Sequence, residues 1–160
     1  MPAPLSIHGS GPQLASSVYG GILGREMATS PRRRTASDLL VEARARFRRL
    51  SPAEAYAESQ TSAILVDTRC ADALRHDGRV PGAVHVPLSV LPWRFDERSD
   101  SRDEDLARPD ARVILFCAHG YSSSLAVASL LDLGFSAATD VDGGFQAWRE
   151  AGLPVVDAGG

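Results

Sequence analysis

Cys117 ends an apolar run over residues 113–116 and is followed by Ala118, His119, Gly120, Tyr121, Ser122 and Ser123. A thiol delivered by a strand into a loop containing glycine and serine sits where backbone N–H groups can face an anion. The residues beyond, 123–133, read as a buried helix, with hydroxyl residues suited to its N-cap and Gly134 suited to the left-handed residue that closes it. The first amides of that helix point back toward Cys117, and the positive end of its dipole favours thiolate over thiol. The implied chemistry is nucleophilic. The same position also suits a small buried hydrophobe, because cysteine is among the most buried residue types. Position alone leaves both readings open.

Other residues able to do chemistry lie nearby in the pattern. Asp67 and Arg69 follow the apolar run 63–66. An aspartate at a strand end can accept loop amides, and Arg69 can pair with a carboxylate such as Asp72 or Asp77, so both read as structural support. Cys70 could form a disulfide with Cys117, but it reads better as a small, partly buried residue. His119 as imidazolium would stabilise a Cys117 thiolate or hand a proton to a leaving group; otherwise it is an exposed loop histidine. His85, between valines, reads as structural, and Trp93 and Trp148 as packing residues. Two cysteines are too few for a disulfide framework, and no Cys/His cluster has zinc spacing, so no zinc site is expected.

The elements that must position these groups follow from periodicity. Residues 37–50 have apolar side chains at helical spacing and arginines elsewhere, which predicts an amphipathic helix with a solvated basic face. Such a face can also meet an acidic partner. Ser51-Pro52-Ala53-Glu54 is a capping box with proline at the first helical position. Strands are predicted over 63–66, 83–86, 113–117 and 136–141, and helices over 71–76, 89–95 and 145–150, with 96–110 an exposed connection. This alternation predicts an α/β fold with a central, mainly parallel sheet of about five strands and helices on both faces. Sites in such folds lie at the carboxyl ends of strands, where both Asp67 and Cys117 fall.

The chain has 160 residues and a formal net charge of −3, enough for one domain with a full core and giving no reason to expect nucleic-acid binding. All basic residues are arginine, which reads as base composition and not as a functional choice. Residues 1–35 read as a disordered or flexible tail before a domain over 36–160; the alternative, from the change in composition near Met27, is an upstream extension with the natural start at Met27. The tail has neither a signal-peptide pattern nor a membrane span, and the expected location is the cytoplasm.

Four segments together resemble a single-domain rhodanese of the sulfurtransferase family. They are Val66-Asp67-Thr68-Arg69, the stretch from Gly78 to Ala83, the loop from Cys117 to Ser123, and Asp142-Gly143-Gly144-Phe145-Gln146-Ala147-Trp148. The resemblance runs from about residue 51 to 155 and implies a rhodanese-like three-layer fold. It implies that Cys117 carries sulfur as a persulfide, taken from thiosulfate or a persulfide and passed to a thiophilic acceptor. The resemblance also implies that no metal or organic cofactor is required, and that the partners are small sulfur donors and acceptors, or a protein persulfide. Many such loops carry a cation where this chain has Ser122; Arg94 or Arg79 would have to bring that charge from outside the loop. The alternatives are a non-catalytic persulfide carrier or interaction module, and a related phosphatase. The serine at 122 disfavours the phosphatase, whose loop needs an arginine.

Overall fold

The computed structural model describes residues 33–157. The tail expected over 1–35, apart from its last three residues, and the start at Met27 lie outside the described residues. The elements in chain order are α1 (Ala36–Arg44), α2 (Pro52–Ser59), β1 (Ile64–Asp67), α3 (Ala71–Asp77), β2 (Val84–His85), α4 (Leu91–Phe95), β3 (Val113–Phe116), α5 (Ser122–Asp132), β4 (Thr139–Asp140) and α6 (Gly144–Glu150).

The two central strands are built almost wholly from branched and aromatic apolar residues, because a strand covered on both faces has no polar side. Alternate residues of β3 enter opposite layers. Val113 and Leu115 pack with Val66 of β1, Phe95 of α4 and Val127 and Leu130 of α5. Ile114 and Phe116 pack with Leu65, Ala55 of α2 and Phe145 and Trp148 of α6. Each of the buried Val, Leu, Ile and Phe side chains among these contributes about 1.5–3 kcal/mol of transfer free energy. Phe116 stacks on Trp148 with centroids 6.4 Å apart, and the Trp148 Nε1–H donates to the Pro154 carbonyl at 3.0 Å.

All strand pairs are parallel, in the order β2-β1-β3-β4. The α/β layering agrees with expectation, but the described residues hold four strands where about five were expected. At the β4 edge a fifth position is filled by one residue: Leu50 bridges Val141, its amide donating to the Asp140 carbonyl at 3.0 Å. The pairing stops there because Ser51 begins a helix cap and Pro52 has no amide to donate. Outside the four strands a single antiparallel bridge joins Arg79 and Val156, just after Pro154.

Helix α2 starts as its sequence predicts. Ser51 and Glu54 form the capping box, and the amide and hydroxyl of Ser51 pull the Glu54 carboxyl down to about 2. The helix expected over 37–50 is shorter, ending at Arg44. Its apolar residues explain the break: Phe47 packs into one layer and Leu50 into the other, so they cannot share one helical stripe. Thr35 caps α1 with its own capping box on Asp38, and α1 packs on α5.

Candidate active site

The register pairs Asp67 with Phe116, so the chain leaving β1 and the loop leaving β3 emerge side by side at the carboxyl end of the sheet. The Thr68 amide and hydroxyl donate to the Phe116 carbonyl at 2.9 and 3.0 Å, which ties them together. Cys117 follows, buried to 7 % exposure. The loop over residues 118–121 then turns into α5, whose first residue is Ser122.

Gly120 donates its amide to the Cys117 Sγ at 3.2 Å. It holds φ +76°, and a Cβ there would come within 2.9 Å of the Gly143 nitrogen. The loop is pinned from the opposite side by α6, where Phe145 and Gln146 donate amides to the Cys117 and Ala118 carbonyls at 2.8 and 3.0 Å. Gly144, at φ +62°, allows that approach, since a Cβ on it would overlap the Cys117 carbonyl oxygen and come within 2.7 Å of the Gly120 nitrogen. The double glycine is thus a contact surface for the loop.

Burial penalises the Cys117 thiolate, yet its pKa lies below the ordinary thiol value. Hydrogen bonds from the Ser122 and Ser123 hydroxyls and from the Ser123 and His119 amides outweigh the desolvation. The thiol form donates to the Ser123 Oγ at 3.4 Å, and the Ser123 hydroxyl donates to the Asp140 Oδ2 at 3.0 Å. Serines 122–124 lie inside the first turn of α5, and the N-cap is Tyr121 with no side-chain cap. This departs from the expected hydroxyl N-caps. Ser124 also donates to the Asp140 Oδ2, at 2.7 Å, so Ser123 and Ser124 pin α5 to the end of β4.

Asp140 is fully buried and meets the Arg49 Nε and Nη2 at 2.7 and 2.9 Å. The Gly120 carbonyl accepts from Arg49 Nη2 at 2.9 Å and from Arg44 Nη2 at 2.8 Å. Asp140, Arg49 and Arg44 were not singled out in the sequence. The arginines were assigned to a solvated face; Arg46 and Arg48 are exposed, but Arg44 and Arg49 turn toward the loop. No local spacing signals this, because Arg49 reaches Asp140 only through the Leu50–Val141 bridge.

Asp67 and Arg69 form a buried pair, with Arg69 Nη2 2.7 Å from Asp67 Oδ2. The Arg69 amide also donates to Asp67 at 3.0 Å. Arg69 thus pairs with Asp67 and not with Asp72 or Asp77. It also donates to the Gly78 carbonyl at 2.8 Å and stacks 3.5 Å over the Phe145 ring. His85 Nε2 lies 2.8 Å from the Arg69 carbonyl. Cys70 is exposed where the sequence suggested partial burial, because it occupies the N-cap position of α3 outside the packed layers. Trp93 is also exposed, on the outer side of the short helix α4, and is not a packing residue.

Arg94 and Arg79 are both exposed. Arg94 donates to the Ser101 carbonyl at 3.0 Å and Arg79 pairs through its backbone with Val156; neither bonds to the loop among the described residues. His119 is exposed, as is Tyr121, which carries the Arg44 guanidinium 5.7 Å from its ring centroid. Among the described residues no cluster of His, Cys, Asp and Glu could hold a metal ion, and no helix is long and apolar enough to cross a membrane.

A family model, rhodanese-like domain, matches residues 51–151. The chain belongs to this family. The rhodanese-like chain is 36 % identical over 103 residues to the thiosulfate sulfurtransferase GlpE of Pseudomonas syringae, covering 64 % of this chain and 88 % of that protein. Among solved structures it is similar to a protein of unknown function, possible tyrosine phosphatase, from Rhodopseudomonas palustris. That match has a TM-score of 0.73 at 28 % identity and covers 77 % of this chain and 95 % of the other. It is also similar to the polysulfide-sulfur transferase homodimer of Wolinella succinogenes, with a TM-score of 0.60 at 27 % identity, covering 74 % and 84 %. This rhodanese-like protein is a sulfurtransferase of the rhodanese type.

Proposed function

We propose that the protein moves sulfane sulfur from thiosulfate or a persulfide to a thiophilic acceptor through a persulfide on Cys117. The observation that carries this reading is the Gly120 N–H directed at the Cys117 sulfur within a ring of amide and hydroxyl donors. The Cys117 thiolate attacks the outer sulfur of thiosulfate, the S–S bond breaks, and sulfite leaves with the bonding pair. The product is an anionic persulfide, and the donors that favour a thiolate favour it for the same reason. An acceptor such as cyanide then attacks the terminal sulfur and leaves as thiocyanate, returning the thiolate. Cys117 is the catalytic residue in this scheme, and residues 118–123 shape the anion site.

The test is thiocyanate formation from thiosulfate and cyanide, together with the mass of Cys117 after donor alone. The expected result is the added mass of one sulfur on Cys117 and loss of thiocyanate in Cys117→Ser. No added sulfur from thiosulfate or from any persulfide would overturn the proposal.

One observation favours a second reading, a carrier or interaction module fed by a persulfide on a larger molecule. An apolar cleft of about 190 Å³, lined by Leu88, Leu91, Pro92 and Leu125, opens beside Ser122 and holds no charged side chain. Such walls suit an alkyl or protein thiol better than a small dianion. Persulfide loading without steady thiocyanate turnover is the outcome that selects this reading. The phosphatase alternative is disfavoured by the same serines, since the loop has no guanidinium to clamp a phosphate.

A further inference from the structure

The loop lacks a cation of its own, yet a buried carboxylate stands two hydrogen bonds from its sulfur, through Ser123 to Asp140. An anion so placed works against a thiolate or persulfide unless a positive charge offsets it. Arg49 supplies that charge. The parallel bridge of Leu50 with Val141 sets Arg49 beside Asp140 on the same side of the sheet edge, while Leu50 and Val141 both enter the layer of α2 and α6. The guanidinium grips both Asp140 oxygens, pairs with Asp142, and uses Nη2 a second time on the Gly120 carbonyl at 2.9 Å. It therefore touches the charge that opposes the sulfur anion and the residue whose amide supports it.

We propose that Arg49 is the fixed cation of the sulfur site, a positioning residue that offsets Asp140 and orients Gly120 so that Cys117 is held in its anionic form. The proposal rests on Cys117 being the reacting group. It assigns a role to a residue just outside the stretch 51–151 matched by the family model, which alone would leave the site without this charge.

Arg49's own ionisation agrees with the geometry. Burial works against its charge, but hydrogen bonding and Coulomb attraction to Asp140, then to Asp142 and the Cys117 sulfur, hold its pKa above the ordinary value. The other titratable and charged groups around the loop are Arg44 from α1, bound to the Gly120 carbonyl, the exposed His119, and Asp142 after β4. The Asp67–Arg69 pair closes on itself after β1, and Arg94 of α4 is tied to Ser101. Asp132 lies at the far end of α5, and Arg149 and Glu150 at the far end of α6.

The experiment is the pH dependence of iodoacetamide alkylation of Cys117 in the full chain without any sulfur donor, read by mass so that Cys70 is counted separately. In Arg49→Gln the midpoint rises by about one pH unit, roughly tenfold less thiolate at a fixed pH below it. In Asp140→Asn it falls, because the opposing negative charge is removed while the Arg49 cation stays. Arg49→Lys keeps the charge and stays within a few tenths of a unit of wild type, and the Arg49→Gln/Asp140→Asn double variant returns close to it. Folding is checked for each variant by its melting transition. A purely structural pair would move both single variants the same way; equal signs, or no shift in folded variants, would overturn the proposal. If Arg49→Gln does not fold, Asp140→Asn alone decides, with an unchanged or raised midpoint counting against it. Failure of wild-type sulfur loading would sink the proposed function and leave this titration standing, so the two can fail separately.

Discussion

Two arginine–aspartate pairs lie buried near the carboxyl ends of parallel strands, and they differ in almost everything but chemistry. Arg69 and Asp67 are two residues apart, and the pair is almost wholly shut from solvent. Arg49 and Asp140 are 91 residues apart, and the Arg49 side chain keeps 16 % of its surface exposed. The first pair directs its bonded donors to its own turn and the Gly78 carbonyl and stacks on the Phe145 ring, leaving the buried Arg69 Nη1 without a hydrogen-bond partner. The second reaches the sulfur loop through Gly120, Ser123 and Ser124. The first pair stays within its own strand end, whereas the second is left partly open with a donor on the Gly120 carbonyl, which is the ground for the proposal that it sets the charge on Cys117.

The comparison is broken most severely at Arg69. Arg69→Met leaves Asp67 buried without its partner and should cost about 3–5 kcal/mol in urea unfolding, with the Cys117 alkylation midpoint of the remaining folded protein unchanged. A shift of that midpoint would erase the distinction between the pairs. Gly144→Ala should cost about 2–4 kcal/mol and slow alkylation, because it adds a Cβ at positive φ against the Cys117 carbonyl. Arg49→Met should cost about 2 kcal/mol, less than Arg69→Met, since Ser123 and Ser124 still donate to Asp140 and Arg44 still holds Gly120.

A gentler test uses pH. The folded pKa of Cys117 is depressed, so the thiolate's contribution to stability is full above the unfolded thiol's pKa of about 8.5 and is lost as pH falls through the folded value. Unfolding free energy measured across that window should rise with pH in wild type, and that rise should be missing in Cys117→Ala. The smallest effect is expected at Arg46, whose pair with Asp132 is exposed on both sides; Arg46→Ala should change stability by at most about 1 kcal/mol and leave the alkylation midpoint alone. A larger change there would mean that the arginines after α1 act collectively.

The legible parts of this molecule share one property, which is short range. The capping box of Ser51 and Glu54, the apolar runs of β1 and β3, and the glycine beside Cys117 all declare themselves within a few residues. Asp67 and Arg69 stood out for the same reason, although Asp72 and Asp77 looked like equally near partners until the strand end turned Arg69 back onto Asp67. What failed was long range. The helix over 37–50 looked continuous because Phe47 and Leu50 fit one periodicity; only their assignment to opposite layers breaks it. Arg94 and Arg79 were reasonable sources for a missing charge, and nothing local distinguishes them from Arg49.

By itself the sequence determined that a strand, a glycine loop and a helix present a thiol at the edge of an α/β core, because these depend on residue types at neighbouring positions. Only the tertiary structure decided which charges surround that thiol. The parallel bridge at Leu50 carries Arg49 to Asp140, and the carboxylate becomes a partner for α5 only once β4 lies beside β3. The physical reason is that sulfur's charge responds to Coulomb and hydrogen-bond fields over a few ångströms of space, and spatial neighbours 91 residues apart leave no pattern along the chain.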